Sequence, residues 1–244
     1  MDNALYVSLS RQMTLRSELD VVANNIANAD TVGFKVESLM VANDPETPKV
    51  AAGGVPIQYV AQNGLARDFS QGALRATGGA LDLGLAGDGF FQVQTADGIR
   101  YTRDGRFALN AQGQIVTAAG DPVLGAGGSP VTIDPTKGAP LIGPDGTISQ
   151  GALNAGKVGV VRFASASALQ KDGGGYFANI SNLGSQPAQD TKIEQGMVES
   201  SNVNPITQIT RLIEVNRAYQ QISNIMDGDG SLYEQAIQRL GKVN

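Results

Sequence analysis

The chain of 244 residues contains no cysteine, no histidine and no tryptophan. Without cysteine there is neither a disulfide framework nor a thiolate metal site. Without histidine, the commonest general base and the commonest metal ligand are both missing. Charged residues make up 17% and aromatics 5%, the former below the ~25% usual for soluble domains. So sparse a surface charge suits a chain that hides much of its surface against neighbours. The net charge is −5 and the isoelectric point about 4.8, and no Lys/Arg stripe is available to neutralise phosphates, which argues against a nucleic-acid partner. No run of about 18 apolar residues is present, so no membrane-spanning helix is predicted. Residues 1–30 carry Asp2, Arg11, Arg16, Glu18 and Asp20 and lack the continuous apolar segment of a secretory signal. On these features alone the chain is expected in the cytoplasm. The length accommodates one large or two modest domains with a real core.

What is present is concentrated at the two ends. Leu15, Leu19, Val22 and Ile26 recur at steps of four, three and four, which places them on one face of an α-helix. Leu5, Leu9 and Met13 continue the pattern upstream and predict a helix from Asp2 or Asn3. Near the other end Ile206, Ile209 and Ile213, then Tyr219, Ile222 and Met226, recur at three and four, with Asn216 interrupting the seam. A polar seam residue of this kind fixes register at a cost in stability. Asn204 is a helix N-cap and Pro205 suits the first helical position, where its missing donor does no harm. Gly228 predicts a stop. After it, Ser231 with Glu234 three residues on forms a capping box, predicting a last short helix through Leu240.

Each helix could pack on its own domain's core, but magnitudes favour a shared solution. Ordering about 35 N-terminal residues costs roughly 1–2 kcal/mol each in backbone entropy. Seven apolar anchors at roughly 1.5–3 kcal/mol each do not offset that. The two ends are therefore expected to pair as a coiled coil, frayed in the free monomer and ordered by neighbouring copies.

Between the ends, turn signals are dense: Gly87-Asp88-Gly89, Asp97-Gly98, Asp104-Gly105, Asp121-Pro122, Asp145-Gly146 and Asp172-Gly173 divide short apolar or alternating runs. They predict a mainly antiparallel β domain over residues 79–190. Residues 36–78, with Pro45, Pro48, Gly53-Gly54 and Pro56, read as an extended connector with a possible strand pair. The fold class is α+β, with residues 1–35 and 196–244 forming a terminal helical domain.

Apparent chemical motifs dissolve on inspection. Gly151 to Lys157 matches the start of a phosphate-binding P-loop, but Val158 replaces the Ser/Thr that would hold magnesium and a strand-like run follows. Asp227-Gly-Asp229-Gly-Ser231 resembles the opening of a calcium loop, yet Leu232 and Gln238 stand where Gly and Glu are needed. Asp82, Asp88, Asp97 and Asp104 could supply a glycosidase pair, but nearly all adjoin glycine, where turn chemistry explains them. Asn179-Ile-Ser181 fits a glycosylation sequon, a pattern short enough to arise by chance. Arg100 and Arg103 read as exposed strand residues. No catalytic residue, cofactor or metal is predicted, and the chain is not expected to be an enzyme.

The segment Ala23-Asn-Asn-Ile-Ala-Asn28-Ala-Asp-Thr31-Val-Gly33-Phe34-Lys35 resembles the N-terminal signature of bacterial flagellar axial proteins, the rod and hook subunits. Gly196-Met-Val-Glu-Ser-Ser-Asn202-Val-Asn204, followed by Leu212-Ile-Glu214-Val-Asn-Arg217-Ala218-Tyr219, is similar to the matching C-terminal signature. Ser70 to Gly78, Leu85 to Phe91 and Tyr101 to Phe107 resemble the family's β domain. The start Met-Asp-Asn-Ala-Leu-Tyr and the short length resemble most the proximal-rod subunit, with the distal-rod paralogue as runner-up. The resemblance implies a structural subunit, exported unfolded through the flagellar type III apparatus without a cleaved signal. Its copies would stack helically with other rod proteins into a drive shaft across the periplasm, which replaces the cytoplasmic expectation. It further implies an assembly interface in which Leu15, Leu19, Val22 and Ile26 face Ile209, Leu212, Tyr219 and Ile222. Asn24 and Asn28, four apart on one face, would hydrogen-bond between adjacent subunits, and Asn25, Asn202 and Asn204 would lie in the same interface. Gly33 would end the helix, Phe34 would anchor the connector, and Glu214 with Arg217 would form an ion pair. A peptidoglycan-acting β-domain enzyme or binding module is the alternative from another class, since a rod must pass the cell wall.

Overall fold

A computed structural model describes residues 2–43, 60–151, 153–166, 169–181 and 183–240. The chain divides into two compact units: residues 1–27, 37–67 and 204–244 form the first, and residues 28–36 and 68–203 the second. The architecture is α+β, with a helix at each end and an antiparallel β middle.

In the first unit, helix α1 (Asp2–Ala27) packs against helix α2 (Pro205–Leu240) and against an antiparallel ribbon of β1 (Glu37–Asn43) and β2 (Val60–Arg67). The ribbon pairs Glu37 with Arg67 and Leu39 with Leu65, and a bulge after Met40 shifts the register. Leu15 and Val22 of α1 are buried, as is Val215 of α2. Along α2, Gln208, Leu212, Val215, Tyr219, Ile222 and Met226, at steps of four and three, are buried or half-buried. Ile206, Ile209 and Ile213 are 77%, 47% and 47% exposed. The sequence grouping joined two separate faces: at about 100° per residue, Ile209 falls well away from the Leu212–Tyr219 line. Asn216 is exposed, so it does not interrupt the covered face; Val215 fills that level.

The start of α2 follows its local chemistry. Asn204 Oδ1 accepts from the backbone N of Ile206 at 3.1 Å and of Thr207 at 3.3 Å, and Pro205 is the first helical residue. The predicted stop at Gly228 and the separate last helix are corrected, because α2 continues unbroken to Leu240. Gly228 and Gly230 keep helical backbone, a tolerable cost of about 1 kcal/mol each. Ser231 Oγ donates to the Gly228 carbonyl at 2.8 Å, bonding back along its own helix instead of capping a new one.

The second unit is built on a six-stranded antiparallel sheet. Its strand order is Leu169–Lys171, Tyr176–Asn179, Gly98–Thr102, Phe90–Thr95, Val160–Phe163 and Ser185–Pro187. Because successive strand residues point to opposite faces, the adjacent Phe90 and Phe91 serve two cores. Phe91 packs with Leu83, Leu85, Val93, Ile115, Val123 and Ile148, while Phe90 packs with Tyr101, Val161, Leu169 and Phe177. Edge-to-face contacts reinforce each side, Phe91 on Phe107 at 5.1 Å between ring centres and Phe90 on Phe177 at 5.8 Å. Leu141–Ile142, Thr147–Gln150 and Leu153–Lys157 form a smaller sheet. Gly151, with φ +60°, follows the strand Thr147–Gln150, and Leu153–Lys157 is itself a strand, so no helix follows the glycine as a P-loop requires. Two further ladders tie in the later chain: Leu83–Ala86 pairs with Lys192–Gln195, and Leu74–Ala76 with Met197–Glu199.

Candidate functional site

The features that could serve a partner lie in two places, one in each unit, and each is built by the signature segments. In the second unit, residues 28–36 follow the end of α1 without regular structure of their own. Thr31 bonds back to Asn28, Oγ1 to Oδ1 at 3.1 Å and N to O at 3.2 Å, which turns the chain. Gly33 does not end the helix, which stops at Ala27. It has φ +69°, donates its N–H to the Glu199 carbonyl at 2.8 Å, and lies so close to residues 103 and 104 that a Cβ would sit 2.6 Å from the Arg103 carbonyl carbon. Phe34 is buried, with the Lys171 ammonium 4.6 Å from its ring centre.

Next to it is a buried ionic cluster. Lys35, Arg103 and Glu199 are 2%, 3% and 1% exposed. Glu199 Oε1 accepts from Lys35 Nζ at 2.6 Å and from the Gly72 N–H at 2.9 Å, and Oε2 accepts from Arg103 Nη1 at 3.0 Å. Lys35 also donates to the Ser70 carbonyl at 2.7 Å, and Arg103 to the Gly87 carbonyl at 2.9 Å. The guanidinium carbon of Arg103 lies 5.3 Å from the Phe90 ring centre. Burial pulls the Lys35 ammonium below its ordinary lysine range; the Glu199 carboxylate works the other way and the Arg103 cation adds to the lowering. Asn202 locks the same place: its Oδ1 accepts from Val36 N at 2.8 Å, and its Nδ2 donates to the carbonyls of Asp68 at 2.9 Å and Ser70 at 3.1 Å.

Arg103 therefore departs from the exposed reading, and Lys35 and Glu199 were missed altogether. A charged residue flanked by glycine turns looks solvated in sequence, and only the pairing of segments 164 positions apart buries it. The single available signal was that all three stand inside the quoted signature segments.

In the first unit, Asn25 is the buried member of its trio. Its side-chain amide faces the backbone of Glu37, accepting from N at 2.9 Å and donating to O at 2.7 Å, and also donates to Gln208 Oε1 at 3.3 Å. It thus touches α1, β1 and α2 together. Asn24 is exposed and Asn28 half-exposed. Leu19 and Ile26 are half-buried, beside the buried Leu15 and Val22. Glu214 pairs with Arg211 at 3.4 Å instead of with Arg217, and Arg211 Nε also donates to Glu18 Oε1 at 2.8 Å. The three-residue step back from Glu214 thus wins over the step forward, because Glu18 already holds Arg211. Two apolar rows face outward: Tyr6, Leu9 and Met13 on α1, and Ile206, Ile209 and Ile213 on α2.

Two of the carboxylates weighed as an acid pair are held by local partners: Asp82 Oδ2 accepts from Thr77 Oγ1 at 2.5 Å, and Asp104 pairs with Arg106 at 2.7 Å. No helix among the described residues is long and apolar enough to cross a membrane.

Comparison with known proteins accounts for the same segments. Three family models match: flagella basal body rod protein over residues 5–35, flagellar hook protein FlgE/F/G D1 domain over residues 84–150, and flagellar basal body rod FlgEFG protein C-terminal over residues 194–239. The chain is 52% identical over 245 residues to the flagellar basal-body rod protein FlgF of Caulobacter vibrioides, covering 100% of both. It is 36% identical over 250 residues to the FlgF of Mesorhizobium japonicum, covering 99% of each. To the flagellar basal-body rod protein FlgG of Bacillus subtilis it is 31% identical over 261 residues, covering 97% of this chain and 98% of that one. With whole-length likeness added to signature segments that build both of the places described, the chain belongs to the flagellar basal-body rod protein family.

Proposed function

We propose that this chain is a structural subunit of the proximal part of the flagellar rod, stacking with copies of itself and with other rod proteins into a torque-transmitting shaft across the periplasm. The observation that carries the reading is the double use of α2. One apolar line, Leu212, Val215, Tyr219 and Ile222, is covered within the first unit; a second, Ile206, Ile209 and Ile213, is left exposed. The covered line repeats at three and four, as a coiled-coil seam does. Fully burying an isoleucine contributes roughly 1.5–3 kcal/mol, so covering Ile209 and Ile213, 47% exposed, adds about half of that each, and helices of neighbouring copies supply the cover. A heterologous contact that does not close on itself extends into a tube.

In this reading α1 and α2 of the first unit supply the contacts between copies. The chain reaches its place through the flagellar type III export apparatus. It carries no cofactor, turns over no substrate and binds no nucleic acid. The likeness to proteins named FlgF supports the proximal position, and the lower identity to FlgG makes the distal one second. The test is complementation of a strain lacking this chain with the triple variant Ile206→Asp, Ile209→Asp, Ile213→Asp. Swimming and rod incorporation are expected to be lost while the purified variant keeps its β unit. Normal basal bodies carrying the variant would refute the assignment.

A further inference from the structure

Glu199 closes the strand Met197–Glu199, and everything it holds lies far away in sequence. Its carboxylate takes hydrogen bonds from Lys35, Gly72 and Arg103, and its carbonyl takes one from Gly33. The cluster is lopsided, with two cations sharing one carboxylate in a site that water does not screen. Take the carboxylate away and the two cations are left facing each other, with their repulsion at interior strength. Arg103 cannot escape by losing its proton. Nor can it easily move: it directly follows the strand Gly98–Thr102 in the middle of the sheet, stacks on Phe90 and donates to Gly87. Its Nε is already buried without a hydrogen-bond partner among the described residues.

Lys35 is the weaker side. It sits on residues 28–36, which have no ladder of their own, and the backbone bonds that hold that stretch come mainly from the late chain. Gly33 N donates to the Glu199 carbonyl, Val36 N to Asn202 Oδ1, and the Phe34 carbonyl accepts from Asn202 N at 3.4 Å. Asp68 N donating to the Val36 carbonyl at 3.0 Å is a backbone tie from elsewhere.

We propose that Glu199 is the bolt of an electrostatic latch. Residues 28–36 dock on the β unit when residues 196–203 are in place, and Arg103 drives Lys35 out when they are not. Docking of the early segment is thereby made conditional on the last part of the chain, a completion check built from one carboxylate between two cations. This goes beyond the rod reading and does not depend on it.

The test is hydrogen exchange, resolved by peptide, on the full chain carrying Glu199→Gln, Lys35→Met or both. Glu199→Gln is expected to speed exchange over residues 28–36 roughly 100-fold, while residues 90–102 of the sheet stay within about threefold. Adding Lys35→Met is expected to restore at least about tenfold of that protection, because it removes the repelled cation. The latch is wrong if residues 28–36 keep their protection in Glu199→Gln, if the sheet loses as much as they do, or if Lys35→Met gives no rescue. Should Glu199→Gln fail to accumulate, accumulation of the double variant reads the same repulsion as yield, and failure of both overturns the proposal.

Discussion

Replacing Asn25 with alanine removes one side chain and undoes three hydrogen bonds in the first unit. The bonds to Glu37, at 2.9 and 2.7 Å, satisfy a backbone N–H and a backbone C=O of a residue that is itself buried. Leaving each of those groups unpaired costs about 1–3 kcal/mol, and the weaker bond to Gln208 adds less. A loss of about 3 kcal/mol follows, which shifts the folding equilibrium of the unit on the order of a hundredfold. Asn25→Asp separates hydrogen bonding from mere filling of space. The aspartate keeps an acceptor for Glu37 N but sets an oxygen against the Glu37 carbonyl, where a donor sat at 2.7 Å, and buries a charge. The isosteric change is therefore expected to cost more than the truncation at neutral pH. Urea unfolding followed by circular dichroism orders the three proteins, and hydrogen exchange over α1 and β1 locates the loss. An Asn25→Asp protein as stable as the parent, or an alanine variant within about 1 kcal/mol of it, would show that the amide does not join these elements.

Other expectations follow from the second unit. Phe91→Ala, at a fully buried position, is expected to cost about 3–5 kcal/mol by thermal unfolding; a loss below about 1 kcal/mol would mean the core behind it is loose. Gly72→Ala would put a Cβ 1.9 Å from the Ser200 carbonyl oxygen, whereas at Gly127 it meets nothing within 4 Å. The first variant is expected to lose more than about 2 kcal/mol and the second to stay within about 0.5, and equal effects would count against the close approach. Tyr176 donates to Asp121 at 2.8 Å and meets Thr117 at 2.6 Å, and burial, with the carboxylate, raises its phenol from 10.0 to about 12. The fold favours the neutral phenol, so its contribution is complete below pH 10 and is lost as pH rises through about 12. Comparing ultraviolet titrations of the native protein and Tyr176→Phe should show one late-ionising phenol missing from the variant; identical curves would refute it.

Legibility followed the range of the interaction. The α1 periodicity, the cap and proline at Asn204-Pro205 and the Asp-Gly turns depend on neighbours within a few residues, so their types and places were readable. Gly228 shows where local logic stops: a glycine after an apolar repeat reads as a helix end, yet α2 continues through it because a glycine weakens a helix without forbidding it. Gly33 shows the converse. It reads as a helix end, but its left-handed backbone answers to the backbone of residues 103 and 104, which no local pattern reveals.

By itself the sequence determined an α+β chain with amphipathic ends, a turn-divided β middle, no histidine or cysteine chemistry, and segments that mark its family. Tertiary structure alone decided which line of α2 is covered and which stays open, since α2 carries apolar residues on more than one side and only the packing of α1 selects among them. It alone also turned Lys35, Arg103 and Glu199 from three apparently solvated charges into one buried cluster. Whether a charge is sheltered or solvated is settled by what folds over it, and here the cover comes from the far end of the chain.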